Sequence, residues 1–297
     1  MRLIVIGREG QLARALRERG AAQGVEIVAL GRPELDLASP ETIAAALAGV
    51  SGDAVVNAAA YTAVDRAEAE EELATRINGA GAGALAAWAA ARGLPFLHLS
   101  TDYVFGAASG PHRESDQPAP LGAYGRSKLA GERAVAAAHP GAVIFRTSWV
   151  YAPFGGNFVG AMLRLAETRD EIGVVDDQRG CPTSAIDLAD ALIAAARKRL
   201  EAPGDSALAG IFHMAGAGAA SWADLAEEIF AASARLGGPI ARVRRIATAD
   251  YPTPARRPAD SRLDQTKLAD AYGLTLPPWR GSVANCVARL LEERKRS

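Results

Sequence analysis

The stretch that decides the fold lies near the start of the chain, where Arg2–Ala13 reads RLIVIGREGQLA. Leu3–Ile6 is a short apolar run that predicts a buried strand, and the residues from Gly10 onward are typical of a helix. Gly7 and Gly10 flank the turn between the two. Such a turn lets a pyrophosphate approach the backbone N–H groups at a helix N-terminus. The stretch therefore predicts the first strand, turn and helix of a nucleotide-binding α/β fold.

The alternation of apolar runs and helical segments continues through the first half of the chain. Helices are predicted at about residues 67–92, with a break near Asn78 and Gly79, and at Ala123–Ala138. Further strands are predicted at Val25–Leu30, Ala54–Asn57, Phe96–Leu99 and Val143–Thr147. The alternation is typical of βαβ units, and the nearly continuous hydrophobicity is typical of strands covered on both faces. The predicted fold class is α/β, a Rossmann-type doubly wound parallel sheet.

The character of the sequence changes after Ser148. Turn-rich stretches now separate helical runs near Ala185–Leu200, Trp222–Leu236 and Val283–Arg294. We therefore expect a cofactor-binding domain over residues 1–148 and a smaller α/β substrate domain over residues 149–297. Segments near residues 184–214 are expected to return to the first domain.

Composition excludes several classes of partner. Hydrophobic residues make up 49% of the 297 residues, and the formal net charge is −1, so we expect a folded soluble protein with no electrostatic reason to bind nucleic acid. No stretch approaches the roughly 20 apolar residues of a membrane span. The first residues run straight into a strand, unlike a signal peptide, so a cytoplasmic location without membrane attachment is expected. Cys181 and Cys286 are expected to be reduced thiols.

A tyrosine and a lysine carry the strongest chemical signal. Tyr124 and Lys128 are four residues apart in a predicted helix, which puts the phenol and the ammonium on one face. A free tyrosine, with a pKa of about 10, is a poor acid–base catalyst near neutrality. We expect the lysine cation to favour the phenolate and lower that pKa. Thr101, at the end of the fourth strand, offers a hydroxyl that can hold a substrate carbonyl beside the tyrosine.

The residues after the second and third strands bear on the cofactor. Arg32 stands where an acidic residue would bind the ribose 2′-hydroxyl of NAD, whereas an arginine can meet the 2′-phosphate of NADP. This favours NADPH and leaves NADH, or a simple surface arginine, open. Asp36 and Leu37 follow at positions suited to the adenine ring. The small side chains of Asn57–Ala60 leave room for a cofactor across the sheet edge.

Several longer strings resemble one family. The order of the glycine turn, NAAA, STDYVF and YxxxK is similar to the extended short-chain dehydrogenase/reductase superfamily. Longer strings narrow the resemblance to the dTDP-4-dehydrorhamnose reductases, over nearly the whole chain. They are GREGQL (7–12), NAAAYTAVD (57–65), STDYVF (100–105), YGRSKLAG (124–131), RTSWVY (146–151), DQRGCPT (177–183) and YPTPARRP (251–258).

The resemblance implies an activity and roles for the catalytic residues. The activity is NADPH-dependent reduction of the C4 keto group of dTDP-4-dehydro-L-rhamnose, the last step of dTDP-L-rhamnose biosynthesis. Tyr124 becomes the proton donor and Lys128 its partner. Thr101 becomes the hydroxyl that tunes the tyrosine and touches the sugar, with Asp102 alongside. A sugar-nucleotide epimerase or dehydratase, and a non-catalytic reductase-like regulatory subunit, are the alternatives that the motifs leave open.

The resemblance also implies binding residues. Trp149 would pack on the substrate, and Asn157 and Arg257 lie in motifs expected to reach the nucleotide diphosphate. Arg257 is equally suited to an interdomain salt bridge. The positions implied for cofactor binding are Gly10, Gln11, Leu12, Asp36, Leu37, Ala60, Tyr61 and Thr62, together with Gly7, Arg32, Tyr124 and Lys128.

Two departures from the family pattern affect the expectations. Ala13 replaces a glycine common in this family, a change that helix packing tolerates. Some members bridge a dimer through magnesium held by glutamates, but Ala15 and Ile186 occupy the matching positions here. No HExxH or Cys/His spacing indicates another metal site. We therefore expect no bound metal, with Mg²⁺ doubtful, and a monomer or weak homodimer.

Overall fold

The structure is a computed structural model that describes residues 1–296. Its strands are β1 (Arg2–Ile6), β2 (Glu26–Leu30), β3 (Ala54–Asn57), β4 (Phe96–Thr101), β5 (Val143–Thr147), β6 (Val150–Tyr151), β7 (Glu171–Val175), β8 (Arg179–Gly180), β9 (Thr183–Ser184), β10 (Gly210–His213), β11 (Ala220–Ser221) and β12 (Arg242–Ile246). Its α-helices are α1 (Gln11–Ala22), α2 (Ile43–Ala46), α3 (Val64–Ala67), α4 (Glu71–Thr75), α5 (Ala82–Ala90), α6 (Ala123–Ala138), α7 (Phe158–Leu165), α8 (Ala185–Glu201), α9 (Trp222–Arg235), α10 (Thr266–Tyr272) and α11 (Trp279–Arg296). A π-helix spans Arg76–Gly81, and 3-10 turns lie at Pro40–Thr42, Asp102–Val104, Ser206–Leu208 and Thr248–Asp250.

Six parallel strands form the central sheet, in the order β10-β5-β4-β3-β1-β2. Apolar residues of α1 and α8 cover one face, and those of α2, α5 and α6 cover the other. The chain reverses its direction of travel across the sheet between β1 and β3. Doubly wound sheets bind ligands at such a switch point, beyond the carboxyl ends of the strands. The predicted fold class is confirmed.

The predicted bounds agree at β3, β5 and α6 and differ most over residues 67–92. This region is divided among short helices, and its π-helix includes the predicted break at Asn78. The Asn78 side chain is buried, accepts from the Tyr61 N–H (2.8 Å) and donates to Ser127 Oγ (2.9 Å). These contacts join the helix to the loop after β3 and to α6. A π-bulge at this position is in keeping with a nearby functional site.

The return of the chain to the sheet after the middle segment is visible in the pairing. β10 lies parallel to β5, in register from Gly210↔Val143 to His213↔Arg146, and α8 packs beside α1. The domain boundary at residue 148 stays a prediction.

A second apolar core lies in the other half of the chain, where α7, α9 and α11 pack together and against β7. The sequence analysis did not predict helix α7 or the parallel pairing of β7 with β12. β12 reads RVRRI and is largely exposed, so hydrophobicity could not signal it. Within residues 1–296, no helix combines the length and apolarity needed to cross a bilayer.

Candidate active site

A cleft of about 660 Å³ opens at the switch point of the sheet. Both the turn after β1 and the segments that follow β2 and β3 contribute to its walls. The predicted cofactor residues in its lining are Gly7, Gly10, Arg32, Asp36, Leu37, Ala60, Tyr61 and Thr62. Gln11 and Leu12 do not line it: Leu12 is buried in the core against the sheet, and Gln11 is the first residue of α1.

The turn after β1 fits a dinucleotide diphosphate. Gly7 has φ of +126°, a conformation that side chains disfavour, and its N–H donates to the Leu30 carbonyl at 2.7 Å. Gly10 is the N-cap of α1 and offers no side-chain cap, and a Cβ there would meet nothing within 4 Å. The N–H groups at the start of this helix are thus open to an anion.

Charged side chains surround the other end of this cleft. Arg32 is exposed and lines it, and its contact with a 2′-phosphate stays a prediction. Arg8 also lines it and pairs with Glu34 at 2.9 Å, a cation that the sequence analysis missed. The Asp36 carboxylate accepts from the Ala38 N–H at 2.9 Å, which holds the loop after β2.

Tyr124 lies at the start of α6, near the carboxyl end of β4. Its phenol lies near the Thr101 hydroxyl, and its ring meets the Tyr103 ring edge-on at 5.8 Å. Burial raises the pKa of Tyr124 to about 12, the Thr101 hydroxyl opposes this, and the charge of Asp102 adds to it. The expected lowering of this pKa by lysine was wrong, because burial of the phenol dominates.

Lys128 lies one turn further along α6 and is 2% exposed. Its Nζ donates to the Leu99 carbonyl of β4 at 2.6 Å. Burial lowers the pKa of this amine to about 8, while the carboxylate of Glu132 raises it. Tyrosine and lysine thus share a helical face, as predicted, with the lysine held on the strand.

Asp102 is buried, so its position differs from that expected for a residue in direct contact with the substrate. Its carboxylate is 2% exposed and accepts hydrogen bonds from Thr101 (3.0 Å), Ser148 (2.8 Å) and Ser261 (2.6 Å). Burial raises its pKa to about 6, and the hydroxyl donors oppose the rise. The geometry supports a role in holding the Thr101 hydroxyl and in tying β4 to the loop that contains Ser261.

A second cleft, of about 450 Å³, lies in the other half of the chain. It has apolar and aromatic walls with a few polar side chains. Its lining comprises Phe158, Ala161, Met162, Leu165, Arg169, Ile172, Gly173, Val174, Val175, Gln178, Trp222, Tyr251, Thr253 and Arg257. Such a mixture of apolar surface and few polar groups is typical of a small-molecule site.

The predicted substrate residues have distinct positions around this second cleft. Arg257 lines it and also pairs with Asp65 at 2.8 Å, while its contact with a diphosphate stays a prediction. Asn157 is outside the lining and caps α7, accepting from the Gly160 N–H (3.2 Å) and donating to the Ala152 carbonyl (2.8 Å). Its amide is therefore occupied within the protein.

Trp149 stacks on Trp222, a lining residue that the sequence analysis missed. The two ring centroids are 3.6 Å apart and the planes differ by 6°. Trp149 has φ of +47°, which is strained for a residue other than glycine. A Cβ at Gly180 would overlap the Trp149 ring, so glycine is needed there. The tryptophan predicted to pack on substrate is thus held between two elements of the second half.

Tyr103 is a further site residue that was missed, although it lies within the quoted STDYVF string. Its phenol lies near the Arg257 guanidinium, and its ring contacts that of Tyr124. Burial raises its pKa well above the usual value, so the phenol stays protonated. Tyr103 therefore lies between Arg257 of the second cleft and Tyr124.

The positions considered for a bridging metal are apolar and packed. Ala15 is fully buried, and Ile186 packs at the edge of the same core. Nowhere in residues 1–296 do three or more His, Cys, Asp or Glu side chains form a group that could hold a metal ion.

Known proteins of one family match this chain from end to end. Residues 1–292 match the family model described as the RmlD substrate binding domain. A dTDP-4-dehydrorhamnose reductase from Sinorhizobium fredii is 50% identical over 296 residues, covering 99% of each chain.

Solved structures agree with this match. The crystal structure of a dTDP-4-dehydrorhamnose reductase from Clostridium acetobutylicum has 36% identity and a TM-score of 0.88, covering 98% of this chain and 100% of that one. The enzyme of the same name from Bacillus anthracis, in complex with NADP, has 32% identity and a TM-score of 0.86, covering 98% and 99%. The chain therefore belongs to the dTDP-4-dehydrorhamnose reductase family.

Proposed function

We propose that this chain is an NADPH-dependent reductase that converts the C4 keto group of dTDP-4-dehydro-L-rhamnose to the hydroxyl of dTDP-L-rhamnose. The observation that carries the proposal is the placement of Tyr124 and Lys128 on one face of α6, with the Thr101 hydroxyl beside the Tyr124 phenol. Family membership supplies the substrate and the direction of the reaction, since the matched relatives carry this name.

The residues of the chain supply proton transfer and orientation. When bound, NADPH supplies the hydride that reduces C4. The Tyr124 phenol donates a proton to the oxygen at C4, and a pKa of about 12 keeps it protonated at neutral pH. A phenol is still a stronger acid than the sugar hydroxyl that forms, so the transfer is favourable. Thr101 orients the same oxygen beside the phenol.

Lys128 contributes a positive charge under the site. An amine with a pKa of about 8 is largely protonated at neutral pH, and this charge stabilises negative charge that develops on the phenol oxygen. We also propose that the Lys128 ammonium donates a hydrogen bond to the nicotinamide ribose of the cofactor. Gly7, Gly10 and the open N-terminus of α1 would hold the diphosphate of the cofactor.

The second cleft is proposed to receive the nucleotide half of the substrate. Arg257 offers a guanidinium to a diphosphate, and the aromatic surface of Phe158 and Trp222 suits a pyrimidine base. Trp149 is proposed to contact the sugar from its place on Trp222. Asn157 supports this wall through its cap of α7, although its own amide is occupied.

We also propose that the enzyme works as a monomer or a weak homodimer without magnesium. Ala15 and Ile186 offer no oxygen ligand at the positions where glutamates would be needed. A dimer would then depend on apolar or polar surface contacts.

Loss of NADPH absorbance on mixing with dTDP-4-dehydro-L-rhamnose tests the proposed activity. We expect NADPH oxidation in step with formation of dTDP-L-rhamnose. Turnover of other keto sugar nucleotides alone, or isomerisation without net NADPH oxidation, would instead indicate an epimerase or a related enzyme. Tight NADPH binding with no turnover of any keto sugar nucleotide would indicate a regulatory subunit.

A further inference from the structure

A buried ion pair lies behind the catalytic lysine, between α6 and the sheet. Glu132 is 3% exposed and Arg146 of β5 is 1% exposed. The guanidinium donates from Nε to Oε1 at 2.8 Å and from Nη2 to Oε2 at 2.7 Å. Ser100 of β4, the neighbour of Arg146 across the sheet, donates to Oε1 at 2.6 Å. The carboxylate is therefore held by three hydrogen bonds in the protein interior.

Stability alone is a poor explanation for this pair. Withdrawing two charges from water is costly, and apolar side chains of similar volume often replace a buried pair without loss. Nη1 of Arg146 also lacks a hydrogen-bond partner within residues 1–296. What distinguishes the position is its neighbour, because Glu132 stands one helical turn beyond Lys128 and its charge acts on that amine.

We infer that Glu132 is a positioning residue of the reductase, whose carboxylate keeps Lys128 a cation beneath Tyr124. Arg146 and Ser100 hold that carboxylate in place. The inference rests on the proposed function, since it concerns the charge state of a catalytic residue.

The following groups surround Lys128 and are uncharged, unlike the Glu132 carboxylate. His98 lies below on β4, and burial together with the lysine charge holds its pKa well below the usual range, so it is neutral. Tyr124 on α6 stays protonated, as does Tyr103 in the turn after β4. The π-helix packed against α6 presents the uncharged Asn78 to this face.

Asp102 is the other buried carboxylate near this end of β4. Its oxygens accept from Thr101, Ser148 and Ser261, beyond the strand end, and its charge acts on Tyr124. The negative charge that acts on Lys128 is that of Glu132. Loss of the Glu132 charge should therefore let the buried amine release its proton at lower pH.

The pH dependence of kcat/KM for the keto sugar tests the inference. Glu132→Gln should move the alkaline limb to lower pH by about one unit, as expected for loss of a nearby opposite charge. Arg146→Lys also breaks the bidentate contact but keeps both charges. The alkaline limb of its pH profile should therefore keep the wild-type position or move to higher pH. A merely structural pair would lower activity at every pH in both variants and leave the limb unshifted.

Two further variants keep the test decisive. If Glu132→Gln is poorly folded, the double variant Glu132→Gln with Arg146→Met removes the unpaired guanidinium, and the same downward shift is expected. Tyr272→Phe deletes a buried hydrogen bond to the Leu208 carbonyl, away from the site, and should keep the wild-type limb.

The contradicting results are equally specific. An unmoved limb in the glutamine variants, or an equal downward shift in Arg146→Lys, would overturn the role of Glu132. A wild-type chain without turnover at any pH would instead overturn the proposed function, and this inference with it.

Discussion

Trp149 and Trp222 stack face to face, with ring centroids 3.6 Å apart, although they belong to different segments of the chain. Trp149 directly follows Ser148, which binds the Asp102 carboxylate, while Trp222 begins α9 and lines the second cleft. The indole pair therefore joins the end of the central sheet to the wall of the proposed nucleotide site.

Gly180→Ala tests this stack. The new Cβ would overlap the Trp149 ring, and Trp222 limits the movement of that ring. We expect KM for the sugar nucleotide to rise about tenfold, equivalent to roughly 1.4 kcal/mol of binding free energy, with little change in the Kd of NADPH. Gly156→Ala is the matched control, because a Cβ there meets nothing within 4 Å. Equal KM values in the two variants would show that Trp149 does not contribute to substrate binding.

Tyr124→Phe removes the proposed proton donor and little else. We expect the fold and NADPH binding to persist while kcat falls by about 10²–10⁴, the usual contribution of general acid catalysis. Tyr103→Phe, at the neighbouring ring, should keep most of the turnover. Stopped-flow measurement of NADPH oxidation checks both variants. Near-wild-type kcat in Tyr124→Phe would exclude this tyrosine as the acid.

Arg32→Ala tests the preference for NADPH. Arg32 lines the cofactor cleft, so its loss should weaken NADPH more than NADH, by up to about 1.5–3 kcal/mol for a hydrogen bond to a charged group. Titration of the cofactor fluorescence gives both Kd values. Arg235→Ala, an exposed position on α9, serves as the control. The same loss for both cofactors would mean that Arg32 does not contact the 2′-phosphate.

Asp102→Asn should change the pH dependence of stability. The pKa of Asp102 is raised from 3.8 to about 6 in the folded state, so its contribution to stability is full below about pH 4 and is lost as the pH rises through 6. Asparagine does not ionise, so the variant does not lose this stability as the pH rises. Relative to wild type, the free energy of unfolding of the variant should rise by at most about 3 kcal/mol between pH 4 and pH 8.

Urea unfolding at pH 4 and at pH 8 measures this difference. A difference between variant and wild type that is the same at both pH values would show that Asp102 titrates normally. We also expect kcat to fall in Asp102→Asn, because an amide cannot accept from all three hydroxyls as the carboxylate does.

Chelation tests the proposed independence from magnesium. Since Ala15 and Ile186 cannot ligate a cation, activity and molecular mass should be unchanged by EDTA. Turnover and light scattering are measured before chelation, after it, and after magnesium is restored. A dimer that separates with EDTA and reforms with magnesium would reveal a carboxylate site outside these two positions.

Local patterns in the chain were enough to predict the parallel sheet and the Tyr124 and Lys128 pair. Strand and helix periodicity, a glycine turn and a four-residue spacing are short-range features, so residues close in sequence determine them. β3, β5 and α6 accordingly have the bounds that were predicted.

Burial and long-range contact were decided only by the tertiary structure. The pKa of Tyr124 is raised, opposite to the expectation, because packing in the folded chain partly buries this side chain. Glu132 meets Arg146 only because α6 packs on the central sheet, and Trp149 meets Trp222 across 73 residues of chain. Side chains so far apart in sequence carry no joint pattern, and only the packed fold brings them within hydrogen-bonding or van der Waals distance.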